Sequence, residues 1–104
     1  MKRLSNCEVK TLILCHGLEW AQQEFGLGLD LEVNTFKEKH PELKEAVKSL
    51  LLSDFIYLKE TLYNNEVISL LELTLPGRMF IDKFSKLTLP EQVNACKTGY
   101  DLEN

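Results

Sequence analysis

The chain has 104 residues, 44% of them hydrophobic and 27% charged, with five glycines and three prolines. That length suits one domain and leaves no room for two, and the composition excludes collagen-like, low-complexity and wholly disordered classes. Twelve basic against sixteen acidic residues give a net charge of −4, the wrong sign for a general nucleic-acid coat or a polybasic membrane binder.

Met1-Lys2-Arg3-Leu4 opens like the basic start of a secretory signal. Glu8 and Lys10 then interrupt, and the unbroken apolar stretch Leu12-Ile13-Leu14 is far short of the roughly 7–15 residues such a signal needs. No run approaches the ~18 apolar residues of a membrane span, so a cytoplasmic location is expected. Cys7, Cys15 and Cys96 are odd in number and form no C-x-x-C pair, which does not fit a disulfide scaffold. Cys7, Cys15, His16 and His40 follow no zinc spacing, so neither metal nor cofactor is expected and the cysteines read as small core residues.

Ser5 and Glu8 have capping-box spacing, and a helix is predicted over 6–24, stopped by Phe25-Gly26-Leu27-Gly28. At about 100° per residue, Val9, Leu12, Ile13, His16 and Trp20 share one arc, while Cys7, Leu14, Leu18, Ala21 and Phe25 share the opposite one. A surface helix buries one stripe; two stripes mean either a central helix or a face kept for a partner. A short helix follows over 30–39, acidic at its start and basic at its end as the helix dipole favours. His40-Pro41 closes it and opens the next, whose stripe is Leu43, Val47, Leu50 and Leu51.

Ser53-Asp54 is read as a cap for a further helix from Phe55 to Tyr63, and Asn64-Asn65 as a turn capping another from Glu66. Leu73-Thr74-Leu75-Pro76 recurs as Leu87-Thr88-Leu89-Pro90, where Thr88 and Glu91 make a capping box, and both copies are read as helix starts. The last helix ends near Lys97, with Gly99 as its stop. The expectation is therefore an all-α bundle of six or seven short helices over 1–99 with a tail at 100–104. The minor alternative is α+β, with a hairpin at 67–84 turning at Pro76-Gly77.

No nucleophile elbow, zinc-protease motif, Walker lysine or three-glycine dinucleotide loop is present, so the chain is not read as an enzyme. Trp20 to Leu27, followed by Val33 and Phe36, resembles the rhythm of a helix–turn–recognition helix, with Lys37 and Lys39 as its DNA-contacting candidates. That helix begins Leu29-Asp30-Leu31-Glu32, putting carboxylates where phosphates and base edges would approach. The leading expectation is a small protein-binding regulator, inhibitor or accessory subunit. Its acidic excess suits a basic-surfaced partner such as an enzyme handling nucleic acid, and its anchor is Leu12, Ile13, His16 and Trp20. A DNA-binding regulator is the alternative.

Overall fold

A computed structural model describes residues 3–26 and 29–103. Met1, Lys2, Leu27, Gly28 and Asn104, which belong to the basic opening, the helix stop and the tail, lie outside the described residues. In order, the elements are β1 (Arg3–Leu4), α1 (Asn6–Phe25), α2 (Val33–Lys39), a 3₁₀ turn (Pro41–Leu43), α3 (Lys44–Leu52), β2 (Ile56–Tyr63), β3 (Glu66–Leu73), α4 (Leu75–Ser85), α5 (Leu89–Thr98) and β4 (Tyr100–Asp101). This is an α+β fold: among the described residues, five helices and two antiparallel strand pairs replace the expected all-α bundle of six or seven helices.

α1 is the spine. Its capping box is formed in full, with Ser5 Oγ accepting from the Glu8 N–H at 3.1 Å and the Glu8 carboxylate accepting from the Ser5 N–H at 2.8 Å. Glu8 is itself buried, and its second oxygen accepts from the Ser49 hydroxyl at 2.7 Å, tying the start of α1 to α3. The buried line along α1 is Glu8, Val9, Thr11, Leu12 and Cys15, of which Val9 and Leu12 come from the first apolar arc inferred from spacing and the other three from neither arc. Elements pack around it: β1, the 3₁₀ turn, α3, β3, α4 and α5 all touch α1, α4 as far along as Glu19. The helix ends at Gly26, which takes the left-handed conformation (φ 63°).

The largest departure from expectation is at 56–73. These residues form one β-hairpin in which Ile56 faces Leu73 at the base and Tyr63 faces Glu66 at the tip, in place of two helices. Asn64 and Asn65 both take positive φ (50° and 66°), the geometry of a type I′ turn, whose twist matches that of the flanking strands. Val67 and Ile68 are β-branched and favour the strand. The base of the hairpin is buried through Ile56, Leu71 and Leu73. Glu32 makes an isolated antiparallel bridge to Leu70, and the Leu71 N–H donates to the Leu31 carbonyl at 2.8 Å, so the segment before α2 lies along β3.

The alternative hairpin turning at Pro76-Gly77 is also corrected, because those residues open α4. Thr74 Oγ1 caps the Gly77 N–H at 3.3 Å, and Thr88 caps Glu91 in the second copy of the repeat. The residues read as a tail begin with a strand. Tyr100–Asp101 pair with Arg3–Leu4, Tyr100 packs edge-on against Phe80 at 5.4 Å, and Arg3 donates to the Thr98 carbonyl at 2.7 Å. The core this encloses is one cluster, centred on Leu4, Val9, Leu12, Phe36, Leu50 and Phe80.

Candidate functional site

The four residues expected to anchor a partner are separated by the fold. Leu12 is completely buried and belongs to the core. Ile13 is half-buried against that core, His16 is exposed, and Trp20 is 55% exposed. Trp20 stands beside Phe25, itself 63% exposed, with their rings edge-to-face at 5.6 Å. The two apolar arcs of α1 thus have different fates along its length. Over the first half Val9 and Leu12 are buried while Cys7, Ile13 and Leu14 are half-covered; at the end of the helix Trp20 and Phe25 stand in solvent as an edge-to-face pair.

Ile13 leads to a surface that spacing alone did not reveal. It lies on the floor of a groove of about 570 Å³ between α1 and α5, with Phe84, Leu89, Val93 and Cys96 as its other apolar walls. A second hollow of about 300 Å³ shares Ile13, Lys10 and Cys96 and continues to Leu14 and Leu43, with Glu42 at its far end. On α5 the residues Leu89, Val93 and Cys96 follow the i, i+4, i+7 spacing of a helical stripe, and Leu89 is 72% exposed. Ala95 is the buried residue of α5 and Cys96 is half-buried against the core, so this helix docks through that side and leaves Leu89 and Val93 open. Lys10 and Lys97 flank the groove. The signal for it was present in the sequence: the 89–97 helix carries more apolar residues than one docking face uses.

A polar cluster lies elsewhere, where α1, the hairpin and α4 meet. Arg78 Nη2 donates to Glu19 Oε1 at 2.7 Å and lies 3.9 Å from Glu72, while Lys59 lies 3.8 Å from Glu72 on its other side. The hydrogen bond to Glu19 raises the Arg78 pKa and keeps the guanidinium charged. Desolvation and then the hydrogen bond to Glu72 push the Tyr57 hydroxyl above its ordinary value. Each of these cations is matched to a carboxylate, so the cluster ties three elements together, while the second oxygen of Glu19, Oε2, is buried without a hydrogen-bond partner. Burial, and secondarily Glu19, raises the Cys15 thiol from 9.0 to about 12, which makes it unreactive near neutrality.

Lys37 and Lys39, the candidates for DNA contact, sit on α2. Lys37 is half-buried and Lys39 is ion-paired with Asp30. His40 packs its ring on Phe36 at 4.9 Å as the C-cap of α2. Glu32 caps the start of α2; slight desolvation pushes its carboxyl up, but bonds from the Asn34 and Thr35 amides outweigh this and hold it low. Among the described residues no group of three or more His, Cys, Asp and Glu is placed to hold a metal ion, and no helix is long and apolar enough to cross a membrane. No family model, curated protein or solved structure matches the chain.

Proposed function

We propose that this chain is a non-enzymatic protein-binding regulator, inhibitor or accessory subunit that works through the α1–α5 groove. The observation that carries this reading is the apolar stripe of Leu89, Val93 and Cys96 facing Ile13 between two lysines. Interface energy concentrates where a few apolar side chains enter such a hollow and a polar rim excludes water. The groove suits an amphipathic segment of another protein, apolar on one side with carboxylates placed to meet Lys10 and Lys97. Three free cysteines among the described residues are what supports a reducing compartment such as the cytoplasm. Trp20 and Phe25 extend the contact as a separate aromatic anchor.

The test uses Leu89→Asp and Val93→Asp, both at exposed positions where the fold is expected to tolerate the change. Each is expected to lower affinity for the captured partner at least tenfold, about 1.4 kcal/mol, while circular dichroism and melting stay within error of the parent. Capture must also survive nuclease treatment. Unchanged capture by both variants would refute the groove as the contact.

A second reading has one observation in its favour. α2, the 3₁₀ turn and α3 followed by the β2–β3 hairpin, with Glu32 bridged to Leu70, follow the order of a helix–turn–helix with a wing. In that arrangement α3, rather than α2, would enter the major groove. Charge weighs against it. Residues 29–73 contain five basic and nine acidic side chains, and phosphate contacts need the reverse. The outward residues of α3 are Lys44, Glu45, Lys48 and Leu52, which nearly cancel. Duplex binding at low salt, weakening steeply as salt rises and abolished by Lys44→Glu with Lys48→Glu, would instead establish this reading; Lys37→Glu with Lys39→Glu serves as the control on α2.

A further inference from the structure

We infer that β2 is a self-complementary edge through which two copies of this chain join their hairpins into one continuous antiparallel sheet. The inference rests on three observations about the strand. First, among the described residues its outer edge is free: there β2 pairs only with β3, and the bridge from Glu32 goes to β3.

Second, the direction of each backbone group is fixed by the bonds at the hairpin base. The Phe55 carbonyl accepts the Thr74 N–H at 3.2 Å across the hairpin, whereas the Leu71 N–H points away from β2 to Leu31. Phe55–Thr74 is therefore a hydrogen-bonded pair and Leu58–Leu71 is not, and the alternation carries this parity along the strand. It follows that Tyr57, Lys59, Thr61 and Tyr63 bond to β3, while the N–H and C=O groups of Ile56, Leu58, Glu60 and Leu62 face the open edge.

Third, the side chains form a near-palindrome about Glu60: Tyr57-Leu58-Lys59-Glu60-Thr61-Leu62-Tyr63. A two-fold axis perpendicular to the sheet at Glu60 makes two β2 strands antiparallel. Leu58 then lies opposite the second copy's Leu62, and Tyr57 opposite its Tyr63. Glu60, Leu58 and Leu62 are the edge-facing backbone positions, so this register is also the one that forms alternating pairs of inter-strand hydrogen bonds. Leu58 and Leu62 meet on one face of the joined sheet and Tyr57 and Tyr63 on the other; all four are exposed in the single chain, Leu62 most of all at 74%, and Val67 opposite Leu62, at 66%, widens the leucine face. An eight-residue edge strand without proline, apolar on either side of its Lys59-Glu60-Thr61 centre, can template strand addition, and the pairing of like with like selects a second copy of this chain as what adds.

One pair in this register is unfavourable: Glu60 meets Glu60, and like charges directly opposite destabilise. That pair supplies the test, made on the full chain by sedimentation or light scattering across a concentration series. The parent is expected to show a concentration-dependent dimer. Glu60→Gln removes the repulsion and is expected to tighten the dimer several-fold. Glu60→Pro deletes an edge-facing N–H that the hairpin does not use, a position where an edge strand tolerates proline, and is expected to weaken association at least tenfold with the melting curve largely kept. A monomer at all concentrations up to ~1 mM for both parent and Glu60→Gln, or a dimer indifferent to both substitutions, would overturn the inference. The two substitutions move association in opposite directions, which a merely structural effect on the hairpin would not do. Neither touches the α1–α5 groove, so failure here leaves the groove reading standing.

Discussion

At the scale of single residues, Cys15 has the clearest titration consequence. Its thiol ionises near 9.0 when exposed and at about 12 in the fold, so between those values the unfolded chain sheds a proton that the folded chain keeps. The raised folded value means the stabilisation is complete below pH 9 and is lost as pH climbs towards 12. The expected slope is about 1.4 kcal/mol per pH unit for one proton. Denaturant melts at pH 8, 10 and 11 are expected to show this loss in the parent, and the parent-minus-variant difference for Cys15→Ala isolates it from other alkaline groups. Gly17 gives a second residue-scale expectation. It lies in the exposed interior of α1 with open space where a Cβ would stand, so Gly17→Ala should gain roughly 0.5–1 kcal/mol from helix propensity alone. Gly77 is the opposite case: a Cβ there would stand 2.3 Å from the Phe55 carbonyl oxygen. The start of α4 is pressed against the hairpin base at that point, and Gly77→Ala is expected to cost about 1–3 kcal/mol, read as a lowered melting temperature.

At the scale of elements, the hairpin turn is under local control. Both turn residues have positive φ, a conformation glycine adopts without the Cβ penalty, and Asn-Gly is the preferred pair for this turn. Asn65→Gly is therefore expected to raise stability by about 0.5 kcal/mol, whereas Asn65→Val should lower it. This turn is also where sequence reading failed, and for a physical reason. Asn-Asn serves equally as a helix cap and as a type I′ turn, and the Lys59-Glu60 step breaks the strict alternation that marks a half-buried strand. The arm projects into solvent on both sides over its outer half, so no single apolar face was there to be seen. Elements with their own local signals were legible: the Ser5–Glu8 and Thr88–Glu91 capping boxes, the Thr74 cap and the Gly26 stop each act within one turn of chain. Of the site, Ile13 was legible from its place on an apolar arc. The burial of Leu12 and the openness of Leu89 and Val93 were not, because they depend on how distant elements, α5 among them, return to α1.

At the scale of the whole molecule, packing is centred at one end. The long axis is 45 Å against 27 and 24 Å for the others, and the buried residues lie on α1, the segment around α2 and α3, the hairpin base, α4 and the end of α5. Closure of the first and last strands is part of that body: Tyr100 covers Phe80, so Tyr100→Ala is expected to cost about 2–4 kcal/mol, far more than a tail residue would. The outer hairpin has no such cover, and its opening is local rather than global. Hydrogen exchange can read both this local opening and the state of the β2 edge, because neighbouring amides of that strand point in opposite directions. In a dilute sample the Thr61 and Tyr63 amides are bonded across the hairpin and should be moderately protected. The Leu58, Glu60 and Leu62 amides face solvent and should exchange at nearly the free-chain rate. Raising the protein concentration should leave the first set little changed and slow the second set selectively, since edge pairing engages only those groups. Slowing of both sets together would signal general stiffening of the arm. No slowing of either set at concentrations where a dimer is present would place the contact elsewhere on the molecule.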